Sequence, residues 1–314
     1  MQARNPLRSK RSARLLFSAA ALLAVFALYF FLSPQSPLYR HREAFYENPL
    51  KVHFIDVGQG DSTLIQTPDG SNILIDAGPG SDKDALRDYL SANGVDTLSL
   101  LVFTHPHEDH IGGGEMVLSL CKVDEVLMPD ATTNTVVFKR LLDAIEAEDC
   151  RVTQAVPRDT FAVDSVAFTV LGPVRDDYED LNNASVVLRM EYGTVTFLFT
   201  GDAEKKAEQD ILELFSDAPL HCDVLKVGHH GSSTSSCADF LEAVSPQYAV
   251  ISCAYQNEYG HPHEKTLQRL SAVHAKLLRT DQNGSIVFES NGSSLRHRTE
   301  RSADTLFLPY QNGR

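Results

Sequence analysis

His105-Pro106-His107-Glu108-Asp109-His110 places three imidazoles and two carboxyl groups in six positions, followed by Ile111 and three glycines. Imidazole nitrogen and carboxylate oxygen are ligands for Zn²⁺, with Mn²⁺ and Fe²⁺ also suited, and no thiolate need take part. The competing reading is a solvated polar turn. Against it stands the apolar run "LLVFT" immediately upstream, which delivers the motif from a buried strand that Pro106 then interrupts. Polar groups on all sides exclude a buried helix, so a loop converging on a cation satisfies them best.

Other stretches carry chemistry of the same kind. "VTFLFTGDAE" ends an apolar strand on Gly201-Asp202, where Asp202 is either a ligand or the N-cap of the helix that follows. "DVLKVGHHGSSTSS" sets His229 and His230 just past another strand, with Lys226 before them and the Ser232 and Ser233 hydroxyls after them as groups for phosphate oxygens. "YGHPH" offers His261 as a substrate-facing side chain, although capping of the next helix accounts for part of that stretch. Asp56, Asp61 and Asp76 sit at strand ends, where they either orient ligand histidines or form turns.

The elements that must position these groups form two similar blocks. "KVHFIDV", "STLIQT" and "NILIDA" are β-favouring runs joined by tight turns, followed by a helix near 82–93 and then by alternating strand and helix to about residue 150. A second β-rich block from "FAVDSVAFTVLGP" to "TVTFLFTGD" is likewise finished by helices and strands, ending in "KLLRT" and "GSIVFES". This pattern predicts an α/β chain with two facing sheets and helices outside. From residue 292 the tail has no apolar period and reads as disordered.

The N-terminus is different. Residues 15–32 carry no charge, while the first 14 carry Arg4, Arg8, Lys10, Arg11 and Arg14 with no acid. This reads as an uncleaved, single-pass membrane anchor with a cytoplasmic basic segment (1–14), a transmembrane helix (15–32), a Pro-rich linker (33–50) and an extracytoplasmic body (51–291). A cleaved signal peptide is the rival reading. Net charge is −14, and setting aside the +5 of the first 14 residues leaves −19 on the rest. Such a body repels polyanions at long range, except where bound divalent metals invert the local sign. The five cysteines form no C-x-x-C pair and are odd in number, which argues against a disulfide framework.

The His-x-His-x-Asp-His pattern, with Gly201-Asp202 and the His229–His230 pair, resembles the metal motif of the metallo-β-lactamase superfamily. That resemblance implies a four-layer αββα sandwich and two divalent metal ions, Zn or Mn. It assigns His105 and His107 to one metal, Asp109 and His110 to the second, Asp202 as a bridge, and one of His229 and His230 as a further ligand. A bridged pair clamps a phosphodiester and activates water, with Asp109 or Asp202 orienting that water and His229, His230 or Lys226 stabilising phosphoryl oxygens. "HFIDVGQGDSTLI", "NNASVVLRMEYGTVTFLFTGD", "LKVGHHGSSTSS", "NEYGHPHEKTLQRL" and "RTDQNGSIVF" further resemble the hydrolase domain of ComEC-type DNA-uptake proteins. The implied activity is a phosphodiesterase or nuclease acting on DNA or another phosphodiester. Alternatives on the same fold are a phosphocholine or teichoic-acid esterase, a lactonase, or a degenerate metal-binding protein. No protein partner is indicated. One departure stands out: no histidine occurs between Ile111 and Asp202, and Asn182 takes the place of the third imidazole for the first metal, unless it only shapes a turn.

Overall fold

Val52 and Phe54 point to one face of the first strand while His53 points to the other, and this two-residue alternation organises the molecule. The computed structural model describes residues 48–301 together with residues 25, 26 and 29. The expected anchor at 15–32, the basic segment before it, most of the linker and residues 302–314 lie outside the described residues, apart from those three. Among the described residues, no helix is long and apolar enough to cross a membrane.

The first half runs β1 (Leu50–Phe54), β2 (Thr63–Gln66), β3 (Asn72–Ile75), α1 (Lys83–Ala92), β4 (Thr97–Leu98), β5 (Leu100–Val102), α2 (Glu108–Ile111), α3 (Gly114–Leu120), β6 (Lys122–Val123), β7 (Glu125–Met128), α4 (Val136–Glu148) and β8 (Arg151–Gln154). The second half runs β9 (Thr160–Val163), β10 (Val166–Gly172), a 3₁₀ turn (Leu181–Ala184), β11 (Val187–Tyr192), β12 (Val195–Phe199), α5 (Lys205–Leu214), β13 (Val224–Lys226), a second 3₁₀ turn (Gly228–Gly231), α6 (Ala238–Val244), β14 (Tyr248–Ile251), α7 (Glu264–Ala272), β15 (Lys276–Arg279), α8 (Thr280–Asn283), β16 (Ile286–Ser290) and β17 (Leu295–Thr299).

Eight strands form one sheet in the order β17-β16-β1-β2-β3-β5-β7-β8, and seven form another in the order β15-β14-β13-β12-β11-β10-β9. Their inner faces bury Val52, Phe54, Ile65, Ile73 and Val102 against Phe168, Leu188, Phe197 and Phe199. The outer face of the first sheet packs on Leu86 and Leu90 of α1, Val117 of α3 and Phe138 and Leu141 of α4. Ile211 of α5, Phe240 and Leu241 of α6 and Leu270 of α7 cover the outer face of the second. Helix, sheet, sheet and helix thus form four layers, as the two-block pattern predicts.

The tail departs from expectation. β17 pairs antiparallel with β16, so the ordered body continues past residue 291. Its sequence "LRHRT" looks aperiodic because it is an edge strand: Leu295 packs on the core, His297 lies against Phe288, and Arg296 and Arg298 pair with Glu289. Charged side chains on such an edge discourage pairing with other chains.

Strands β3, β5, β7 and β8 run parallel in one sheet, as do β12 to β15 in the other. Asp76, His105, Asp202, His229 and Ser252 all follow the C-terminal ends of these parallel strands. Parallel strands leave their carboxyl ends open between successive crossovers, and ligands bind there in open α/β sheets.

Candidate metal centre

The His105–His110 segment leaves β5 and at once forms the four-residue helix α2, with His107 extended at its N-cap. The glycines after Ile111 explain how α2 sits so close to the 76–80 loop. A Cβ on Gly112 would lie 2.3 Å from the Gly80 nitrogen, and one on Gly113 would lie 2.3 Å from the Ala77 carbonyl oxygen. The Ala77 N–H donates to the His110 carbonyl at 2.7 Å and the Gly113 N–H to that of Gly78 at 3.0 Å. This docking brings His110 Nδ1 within 2.8 Å of Asp76 Oδ2, and Asp76 also accepts from the Thr104 amide and hydroxyl.

Asp202 stands at the centre, 2% exposed. Gly201 before it has a φ of +50°, and a Cβ there would lie 2.8 Å from that of Thr104, so the turn that delivers Asp202 requires glycine. Its amide donates to Ser185 Oγ at 3.1 Å, and the Val186 amide donates to the Thr104 carbonyl at 2.8 Å, tying the two sheets together beneath the site. Asp202 Oδ1 lies 3.3 Å from His110 Nε2. Oδ2 lies 3.5 Å from His230 Nε2, 3.8 Å from His229 Nε2 and 3.9 Å from His105 Nε2. The carboxylate therefore looks toward both halves of the histidine set, with His105 Nε2 and His107 Nδ1 3.0 Å apart on one side.

Between His229 and His230 the structure discriminates. His230 is buried; its Nδ1 is 3.0 Å from the Ser252 carbonyl, which fixes the proton on that nitrogen and turns Nε2 toward Asp109 at 3.1 Å. Asp109, His110, Asp202 and His230 each offer one ligand atom within 4.8 Å of the others. His229 is partly exposed and turns Nδ1 to Glu204 at 3.2 Å and to Thr234.

Three candidates fall elsewhere. Lys226 Nζ is buried 2.6 Å from Asp61 Oδ2 and donates to the Val227 carbonyl, so it braces the site from behind and does not line the cleft. The Ser232 hydroxyl is buried and engaged with Thr234 Oγ1 at 2.9 Å. Ser233 is fixed through its amide, which donates to His263 Nδ1, and it does not line the cleft. A loop rich in hydroxyls suggests phosphate contacts, but those of Ser232, Thr234 and Ser235 serve to hold the loop itself.

The cleft has a volume of about 420 Å³ and is walled by His107, Asp109, Asn182, Asp202, His229, His230 and His261 among others. Asn182 is 7% exposed and its Oδ1 has no hydrogen-bond partner. Asp202 Oδ1 and His110 Nε2 are likewise buried and, although 3.3 Å apart, make no hydrogen bond. Buried polar atoms rarely go unsatisfied, so three of them at one oxygen- and nitrogen-lined cleft fit divalent cations.

The electrostatics agree. Burial lowers the proton affinity of His110 and His230, but the carboxylates around them, Asp202 foremost, outweigh it and raise both well above the usual histidine range. Burial pushes Asp202 up, and His230 and His110 more than offset this, holding it well below the usual carboxylate range. Burial and His110 hold His105 well below the histidine range. Burial also draws His261 down to about 4, helped by His230 and His229. Cation binding displaces protons from such a cluster.

Of the strand-end acids, Asp61 and Asp76 do orient histidines, since Asp61 Oδ1 lies 3.3 Å from His230 Nδ1. Asp56 instead pairs with Arg301 and accepts from no site residue. Sequence reasoning missed the Ser252 carbonyl, Ser185, Gln59 and Thr135. A backbone acceptor leaves no residue-type signal, and the serine and threonine are indistinguishable from ordinary turn residues.

A family model for the metallo-β-lactamase superfamily matches residues 55–255, and the chain belongs to that superfamily. It is a metal-dependent hydrolase of that superfamily, related to competence proteins. It is 34% identical over 277 residues to ComE operon protein 3 of Bacillus subtilis, covering 83% of this chain and 34% of that protein. It is 35% identical over 247 residues to the competence protein ComA of Neisseria gonorrhoeae, covering 78% and 33% respectively. The chain thus spans about a third of the length of these curated relatives. Among solved structures, the metallo-β-lactamase fold protein YhfI of Bacillus subtilis aligns with a TM-score of 0.54 at 14% identity, covering 77% of this chain and all of that one.

Proposed function

We propose that this protein is a metal-dependent phosphodiesterase whose substrate is DNA, acting outside the cytoplasm from an N-terminal membrane anchor. The observation that carries the reading is Asp202, whose two oxygens face different imidazoles of one buried cluster. His105, His107, Asp202 and Asn182 would hold one cation, and Asp109, His110, Asp202 and His230 the other. Two divalent cations there supply Lewis acidity for water activation and for charge developing on phosphorus.

The chain's own groups do the rest. Asp76 and the Ser252 carbonyl fix the ring orientation of His110 and His230, so their Nε2 atoms stay aimed inward without reorganisation. Asp109, at the cleft wall, is placed to orient the attacking water. His229 and His261 flank the cleft as hydrogen-bonding groups for the substrate. Similarity to competence proteins supports DNA as the substrate class.

A second reading rests on one observation: among the described residues, no lysine or arginine walls the cleft. That lining suits a small ester, such as a phosphocholine ester or a lactone, as well as a polyanion. Incubation of the purified chain with Mn²⁺ or Zn²⁺ on labelled DNA and on bis-p-nitrophenyl phosphate separates the two. DNA cleavage abolished by His107→Ala and Asp109→Ala is expected. Turnover of the small diester without DNA cleavage would favour the second reading.

A further inference from the structure

An aromatic ladder climbs from the buried centre to solvent. The His230 ring stacks on His261 with centroids 6.2 Å apart and planes at 26°, and His261 stacks on Tyr259 at 5.7 Å and 23°. Tyr259 also lines the cleft and is 58% exposed, so the outermost rung has a ring face that no protein group covers fully. The segment that holds it is braced. Asn257 Nδ2 donates to the Ala254 and His261 carbonyls at 3.0 and 2.7 Å, and Asn257 Oδ1 accepts from the His261 amide at 2.9 Å. An exposed tyrosine on a cross-tied loop is a preorganised planar surface that loses little conformational entropy on binding.

We propose that Tyr259 is a stacking platform for a nucleobase next to the scissile phosphodiester, which makes single-stranded nucleic acid the preferred substrate form. This rests on the phosphodiesterase reading above. Among the described residues the cleft wall has no lysine or arginine to grip a polyanion, so affinity beyond the cations and the histidines that would hold them rests largely on uncharged contacts. Base stacking supplies such affinity irrespective of sequence, because every base presents a π face. In a duplex those faces are already covered by neighbouring bases, which excludes them from Tyr259.

The test is equilibrium binding by the full-length chain, followed by fluorescence anisotropy in Mn²⁺. The probes are a short single-stranded oligodeoxynucleotide, an abasic strand of the same length and the corresponding duplex; cleavage is assayed in parallel. Tyr259→Ala should weaken binding of the base-bearing strand roughly 5- to 150-fold, the span expected for one stacked base. Tyr259→Phe should retain it, and the abasic strand should bind alike to all three proteins. Equal binding of the base-bearing strand by wild type and Tyr259→Ala, equal loss on the abasic strand, or no strand binding at all overturns the platform. Base-dependent binding without cleavage would leave the platform standing and sink the phosphodiesterase reading instead.

Discussion

Asp76 and His110 form a buried pair, with Oδ2 2.8 Å from Nδ1, in which the carboxylate sets both the tautomer and the angle of the ring. Their chain separation is 34 residues, and the contact exists only because α2 docks on the loop after β3. Asp76→Asn keeps the shape and removes the charge. A loss of about 10- to 100-fold in metal affinity is expected, measured by competition with a chelating dye. Unchanged affinity would mean that Asp76 serves only to anchor Thr104.

On the proposed ligand set, Asn182 would make the cation held with His105 and His107 the weaker of the two, since an amide oxygen is a poorer Zn²⁺ ligand than imidazole. Asn182→His should tighten Zn²⁺ at that site about 10-fold relative to Mn²⁺. Calorimetric titration with each metal reads this directly. Equal changes for both metals would show that Asn182 does not contact the cation.

Lys226 and Asp61 form an ion pair with both side chains nearly sealed from water. Removing one partner strands the other charge, so Lys226→Met should lower unfolding stability by about 3–5 kcal/mol in denaturant titration. A cost below about 1 kcal/mol would place Lys226 among the dispensable polar groups and reopen a role at the substrate.

His53 predicts a pH dependence independent of metal. Burial, aided by Arg298 and Lys51, pulls its imidazole from 6.5 to about 3. The unfolded chain therefore binds an extra proton between those values, and stability present above pH 6.5 falls as pH drops toward 3. His53→Phe removes the term, so the variant should lose less stability than wild type between pH 6.5 and 4. Parallel stability curves would assign the acid sensitivity to other groups.

The ligand-bearing loops were readable because each combines a strand end with side chains that have no use in a core: His105 to His110, Asp202 and the His229–His230 pair. The four layers followed from period-two and helical patterns that each block repeats. What could not be read is mostly geometry across chain distance. Lys226 looks like a phosphate ligand until Asp61 is seen beside it, and Ser232 looks like one until Thr234 takes its hydroxyl. β17 escaped notice because an edge strand needs only one apolar side chain, here Leu295, to hold its register. The choice of His230 over His229 depends on the Ser252 carbonyl, which no residue type announces.

The contact between Asp109 and His230 spans 121 positions of chain and joins helix α2, after a strand of one sheet, to the 3₁₀ turn after a strand of the other. Cations held between them, as proposed, would act as a removable cross-link. Binding only the folded chain, they shift the unfolding equilibrium by mass action, in proportion to the logarithm of free metal. The proposed metal ligands would thus double as a fastener for the two sheets, and resistance to unfolding would become a readout of the metal supply around the protein.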